Sequence, residues 1–114
     1  MAESLITIAE TGEFIRRGKH LINDEERQTL VIYLAEHPES GALIENTGGI
    51  RKLPWARGGK GKSGGVRVIY YYHNERMPLY LLTVYGKGEK ANLSQEEKKQ
   101  LRHLVDLLKE ANGV

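Results

Sequence analysis

The chain has 114 residues, 39% hydrophobic and 28% charged, and its 17 Lys/Arg against 15 Asp/Glu leave a net charge of +2. That length suits a single domain, 1–114, with one hydrophobic core, and the absence of cysteine excludes disulfides and thiolate chemistry. The opening MAESLITIAE has neither a basic nor an apolar leader region, and no apolar run approaches a membrane span, so the expectation is a cytoplasmic protein with no membrane partner.

In chain order, the β-branched run Leu5–Ala9 predicts a short strand, and Thr11–Arg17 predicts about two helical turns that break at Gly18. Asn23 and Glu26 are spaced as a capping box, Asp24 and Glu25 suit the positive end of a helix dipole, and Leu30, Val31, Leu34 and Ala35 share one face. Pro38 ends that helix near His37, and the turn formers of residues 38–48 predict a loop. Ile50–Trp55 reads as a strand in which Pro54 requires an edge or a bulge. Val66–His73 and Leu79–Tyr85 are apolar at nearly every position, which predicts central strands covered on both faces, joined by a hairpin loop at Asn74–Pro78. Ser94 with Glu97 forms a second capping box, and Leu101, Leu104, Val105 and Leu108 repeat at helical spacing up to Asn112 and Gly113. The order β-α-α-β-β-β-α predicts an α+β fold in which a small antiparallel sheet is flanked by N-terminal helices and a C-terminal helix.

Charge is segregated along this framework. From Asn46 to Asn74 the chain carries six Lys/Arg and no Asp or Glu, a tract suited to a polyanion. Within it, GGKGKSGG at residues 58–65 lacks the Walker spacing and leads into a strand instead of a helix, so it does not read as a nucleotide phosphate loop. Glycines alternating with Lys60 and Lys62 let backbone approach a phosphodiester chain; the plainer alternative is a solvated hairpin loop. Arg67 shares a strand face with Ile69 and Tyr71 and needs a partner, either a remote carboxylate such as Glu89 or one on the second helix, or a substrate phosphate. A five-residue hairpin loop that pairs His73 with Leu79 sets Arg67 across from Tyr85, whereas a four-residue loop sets them on opposite faces. His20, His37, His73 and His103 have neither metal-ligand spacing nor cysteine companions, so no metal and no cofactor are expected.

The run GGIRKLPWARGGKGKSGGVRVIYYY, followed by LYLLTVYGKGEKANLS and a leucine-rich helix, closely resembles the HigB/RelE superfamily of toxins from bacterial type II toxin–antitoxin modules, the HigB branch in particular, over roughly residues 22–110. The resemblance implies a RelE-like fold and a metal-independent endoribonuclease that cuts messenger RNA in the ribosomal decoding site. It also implies a cognate antitoxin, of helix-turn-helix type, through which alone DNA would be reached. Carried onto this chain, it assigns charge stabilisation to Arg67, phosphate contact and proton transfer to Lys60 and Lys62, and acid or base roles to Tyr85 and Lys87. Crowded cations would move these lysines and Tyr85 toward neutral amine and phenolate. Arg51, Lys52, Arg57 and Trp55 are the expected RNA contacts, the tryptophan by stacking. Two alternatives stand beside the enzyme: a catalytically inert RNA- or ribosome-binding module, and a subunit whose basic face docks an acidic antitoxin.

Overall fold

The computed structural model describes residues 6–56 and 65–114. The elements run β1 (Ile8–Glu10), α1 (Gly12–Gly18), α2 (Asp24–Glu36), β2 (Ala42–Leu43), β3 (Ile50–Trp55), β4 (Val66–Tyr71), β5 (Leu79–Gly86) and α3 (Gln95–Ala111). Both expected capping boxes are present: Asn23 and Glu26 exchange side chain–backbone bonds at the start of α2, and Ser94 and Glu97 do so at the start of α3. His37 caps the end of α2 directly before Pro38, and Asn112 caps α3.

The five strands form one sheet in the order β1-β5-β4-β3-β2. The α+β class holds, with two corrections. β1 runs parallel to β5, so the sheet is mixed, not antiparallel. Residues 38–48 are not all loop, because Ala42 and Leu43 pair with Lys52 and Arg51 as a two-residue edge strand. Neither pairing is encoded by local pattern; each depends on a partner distant from the strand or beyond a turn. Pro54 falls in the half of β3 that β2 does not reach, the edge position where a residue without an N–H is tolerated.

β4 and β5 are central and buried on both faces, as their composition requires. One face carries Leu53, Val66, Val68, Tyr70, Leu79, Leu81 and Val84 against Phe14 of α1, Leu30 and Leu34 of α2, and Ile22. The other carries Ile50, Ile69, Tyr71, Leu82 and Tyr85 against Leu93 and the α3 residues Leu101, Leu104, Val105 and Leu108. Leu82 and Tyr85 share this second face although they are three residues apart, which strict alternation forbids. A bulge resolves the conflict: Ile69 pairs with Thr83 but Tyr70 pairs with Leu81, leaving Leu82 as the extra residue. The hairpin end therefore pairs Tyr71 with Tyr80, not His73 with Leu79, while the far end still sets Arg67 opposite Tyr85.

Thr11 holds the bulge. Its backbone N–H donates to Leu81 O at 3.1 Å and its hydroxyl donates to Leu82 O at 2.9 Å, while the same oxygen caps α1 by accepting from Phe14 N. Toward the other edge of the sheet Tyr70 anchors the chain after α2, accepting from Gly41 N at 2.8 Å and donating to Pro38 O at 2.9 Å. A Cβ on Gly41 would lie 2.9 Å from that hydroxyl, so the contact requires glycine. Replacing Thr11 by Val removes both the cap and the bulge bond; denaturant unfolding is expected to show a loss of about 1–2 kcal/mol.

Candidate cationic site on the α3 face

Arg67 and Tyr85 face each other across the β4–β5 ladder, and Pro54 flanks Arg67 on β3. Alternation along β3 puts Lys52 on the same face, and its Nζ donates to Asn92 Oδ1 at 3.1 Å. Lys52, Tyr85, Asn92, Gln95 and Lys98 are among the residues lining a pocket of about 290 Å³ beside the start of α3. The site thus combines three sheet strands with the N-terminal turn of a helix, and its charged groups are predominantly cationic.

Arg67 is half-buried, and one of its bonds runs from Nη1 to Val66 O at 3.2 Å. Glu89, one of its expected carboxylate partners, is engaged by Arg17 at 2.9 Å and by Gly86 N at 2.7 Å. Tyr85 is 1% exposed, and its hydroxyl has no hydrogen-bond partner among the described residues. Lys90 Nζ lies 4.9 Å from the centre of the Tyr85 ring and is ion-paired with Glu97. Burial raises the Tyr85 phenol above its ordinary value; the Arg67 charge opposes that shift and Glu97 reinforces it. The expected drift toward phenolate is therefore corrected: desolvation outweighs the neighbouring cation, and Tyr85 is a neutral phenol at neutral pH.

Lys87 is exposed in the turn directly after β5, and its backbone N–H donates to Gly65 O at 3.1 Å. That bond ties it to the point where the basic tract enters β4. Gly65 presses against the end of β3 so closely that a Cβ would sit 2.1 Å from Trp55 O. Arg57, Lys60 and Lys62 lie outside the described residues, between the adjacent ends of β3 and β4.

Two expected RNA contacts are not brought to this face. Arg51 points to the α2 side and donates from Nη1 to Glu39 O at 3.0 Å and Gly41 O at 2.7 Å, so its charge secures a turn. Trp55 packs on the α2 side with its ring 5.3 Å from that of Tyr33. Lys90, Asn92 and Lys98 join the site without having been anticipated as contacts. Lys90 was legible only as part of the polar GKGEK turn, whereas Lys98 is reached through the crossing of α3 over β3, which no local spacing encodes. The four histidines are exposed, and no group of three or more His, Cys, Asp or Glu able to hold a metal ion occurs among the described residues.

Glu97 is held below the ordinary carboxylate range first by the Lys90 hydrogen bond and then by the Ser94 N–H, and Glu89 by the Gly86 N–H and then Arg17. Depressed carboxyls stabilise the fold above their unfolded value of about 4.3 and lose that contribution as pH falls through the folded value. Glu97→Gln and Glu89→Gln are each expected to flatten the decline of unfolding free energy between about pH 5 and about pH 3, measured by urea titration across pH. A spectrophotometric phenol titration is expected to lose a late-titrating group in Tyr85→Phe.

Among the described residues, no helix is long and apolar enough to cross a membrane. Comparison with known families matches residues 8–113 to the RelE toxin of the RelE/RelB toxin–antitoxin system. That match spans every strand and helix described above. The chain therefore belongs to the RelE toxin family.

Proposed function

We propose that the chain is the toxin of a type II toxin–antitoxin module and acts as an endoribonuclease on messenger RNA held by the ribosome. The observation that carries this reading is the pairing of Arg67 with Tyr85 beside Lys52 and Lys87, on the face bordered by the ends of the basic tract. Membership of the RelE toxin family supports it, as does the motif content of the HigB branch, to which we assign the chain. The partner that silences it is a cognate antitoxin, of helix-turn-helix type, which also provides its only link to DNA.

The chemistry suited to such a site is attack of a ribose 2′-oxygen on the adjacent phosphorus. The 2′-O–P bond forms and the P–O5′ bond breaks, leaving a 2′,3′-cyclic phosphate and a 5′-hydroxyl. A base takes the 2′-proton and an acid supplies one to the leaving 5′-oxygen. Arg67 stabilises the negative charge that grows on the phosphoryl oxygens, and its fork matches two of them. Lys60 and Lys62 contact the phosphate and exchange protons, Lys87 supplies an acid or base, and Lys52, Arg57 and Lys98 hold the flanking RNA backbone.

Tyr85 has a more restricted part than the resemblance implied. A closed, neutral phenol does not serve as a base. Its unpartnered hydroxyl is a buried donor, and a phosphoryl oxygen entering the pocket beside Lys52 and Lys98 would satisfy it.

Expression of the chain alone, with 5′ ends of cellular transcripts mapped, tests the reading. Growth arrest with cuts confined to translated regions is the expected result, and Arg67→Ala is expected to abolish both arrest and cleavage while retaining a native circular dichroism spectrum. Undiminished toxicity in that variant refutes the role of Arg67. Cleavage of naked RNA removes the ribosome from the proposal, and arrest without cuts favours the inert binding module.

A further inference from the structure

The turn that follows β5 is fixed by α1. Arg17 of α1 donates from Nε to Val84 O at 2.7 Å and from Nη2 to Glu89 Oε2 at 2.9 Å. Glu89 uses its other oxygen, Oε1, to accept from Gly86 N at 2.7 Å, and its own N–H donates to Gly86 O at 3.0 Å. One guanidinium and one carboxylate thus clamp both ends of residues 84–89. Lys87 lies inside the clamp and Lys90 directly follows it, and the Lys87 N–H joins the same turn to Gly65 O.

We propose that Arg17 and Glu89 are positioning residues of the cationic site, which set where Lys87 and Lys90 stand relative to Arg67. This rests on the site described above being the reactive one. Arg17 also lines a pocket with Thr83, Lys90 and Glu97, and both side chains act through the turn they bracket. Their side chains are 36% and 46% exposed, a setting in which an ion pair adds little to stability. Its geometry is nonetheless restrictive, because each partner makes two bonds in fixed directions. The clamp therefore has a small effect on folding and a large one on placement. Gly88, at the tip of the same turn, has nothing within 4 Å of an added Cβ and no positive φ, so Gly88→Ala leaves the clamp intact.

The test compares Glu89→Ala, Arg17→Lys and Gly88→Ala with the unaltered chain. Arg17→Lys keeps the charge but not the fork that reaches Val84 O and Glu89 together. In cleavage of messenger RNA on programmed ribosomes, Glu89→Ala is expected to lower kcat about tenfold to about a hundredfold with KM changed less than about twofold, the signature of misplaced reacting groups. Arg17→Lys is expected to fall in between, and Gly88→Ala to match the unaltered chain. Unchanged kcat in Glu89→Ala, or an equal loss in Gly88→Ala, overturns the proposal.

A second measurement is independent of activity. Amide hydrogen exchange at Gly86 and Lys87 is expected to accelerate about tenfold or more in Glu89→Ala, with exchange in the β3–β4 ladder unchanged. Unaltered exchange at Gly86 and Lys87 overturns the clamp whether or not the chain cleaves RNA. Absence of cleavage by the unaltered chain, with exchange responding as expected, instead overturns the proposed activity and leaves the clamp standing.

Discussion

Everything in this molecule depends on the β4–β5 ladder serving two cores at once. Its side chains must fill the layer beneath α1 and α2 and the layer beneath α3, so both strands are apolar throughout and neither has a solvent face. A regular ladder would carry the alternation of Leu79–Leu81 into the far half of β5 and turn Tyr85 away from Arg67. The bulge at Leu82 resets the alternation by one residue, which places Leu82 and Tyr85 together over the second core. Thr11 binds the carbonyls on both sides of that reset, so the entrance to α1 and the geometry of the cationic site are parts of one arrangement.

The elements that were legible in the sequence are those whose determinants are local. The capping boxes at Asn23 and Ser94, the stop at Pro38 and the leucine repeat of α3 each lie within a turn or two of the structure they specify. What was not legible depends on contacts between remote segments. Parallel pairing of β1 needs β5, some seventy residues later, and Ala42–Leu43 becomes a strand only because Arg51 and Lys52 return beside it. The facing of Arg67 and Tyr85 was reached from a uniform register. In the fold it is delivered by two registers separated by a bulge, a different route to the same pair.

The site divides in the same way. Strand parity joined Arg67 with Tyr85 only under one of two loop lengths, and the ionisation of Tyr85 depends on how deeply it is buried, a tertiary quantity. Arg51 and Lys52 illustrate the limit most directly. They are adjacent, both cationic and part of one motif, yet alternation sends Lys52 toward the α3 side and Arg51 to the carbonyls of Glu39 and Gly41. Adjacent cations in one tract are thus sent to opposite faces of the sheet.

The unpaired stretches of the central sheet carry a consequence for how the chain meets other strands. Exposed strand edges recruit one another and seed aggregation. Here the far half of β5, beyond the reach of β1, is sealed by Thr11 and Arg17 on its carbonyls, while the open half of β3 contains Pro54, which has no hydrogen to offer a neighbouring strand. Among the described residues, the two residues of β2 form the outer edge on that side, too short to template a growing sheet. The far half of β5 and the open half of β3 thus each offer few groups to a further strand.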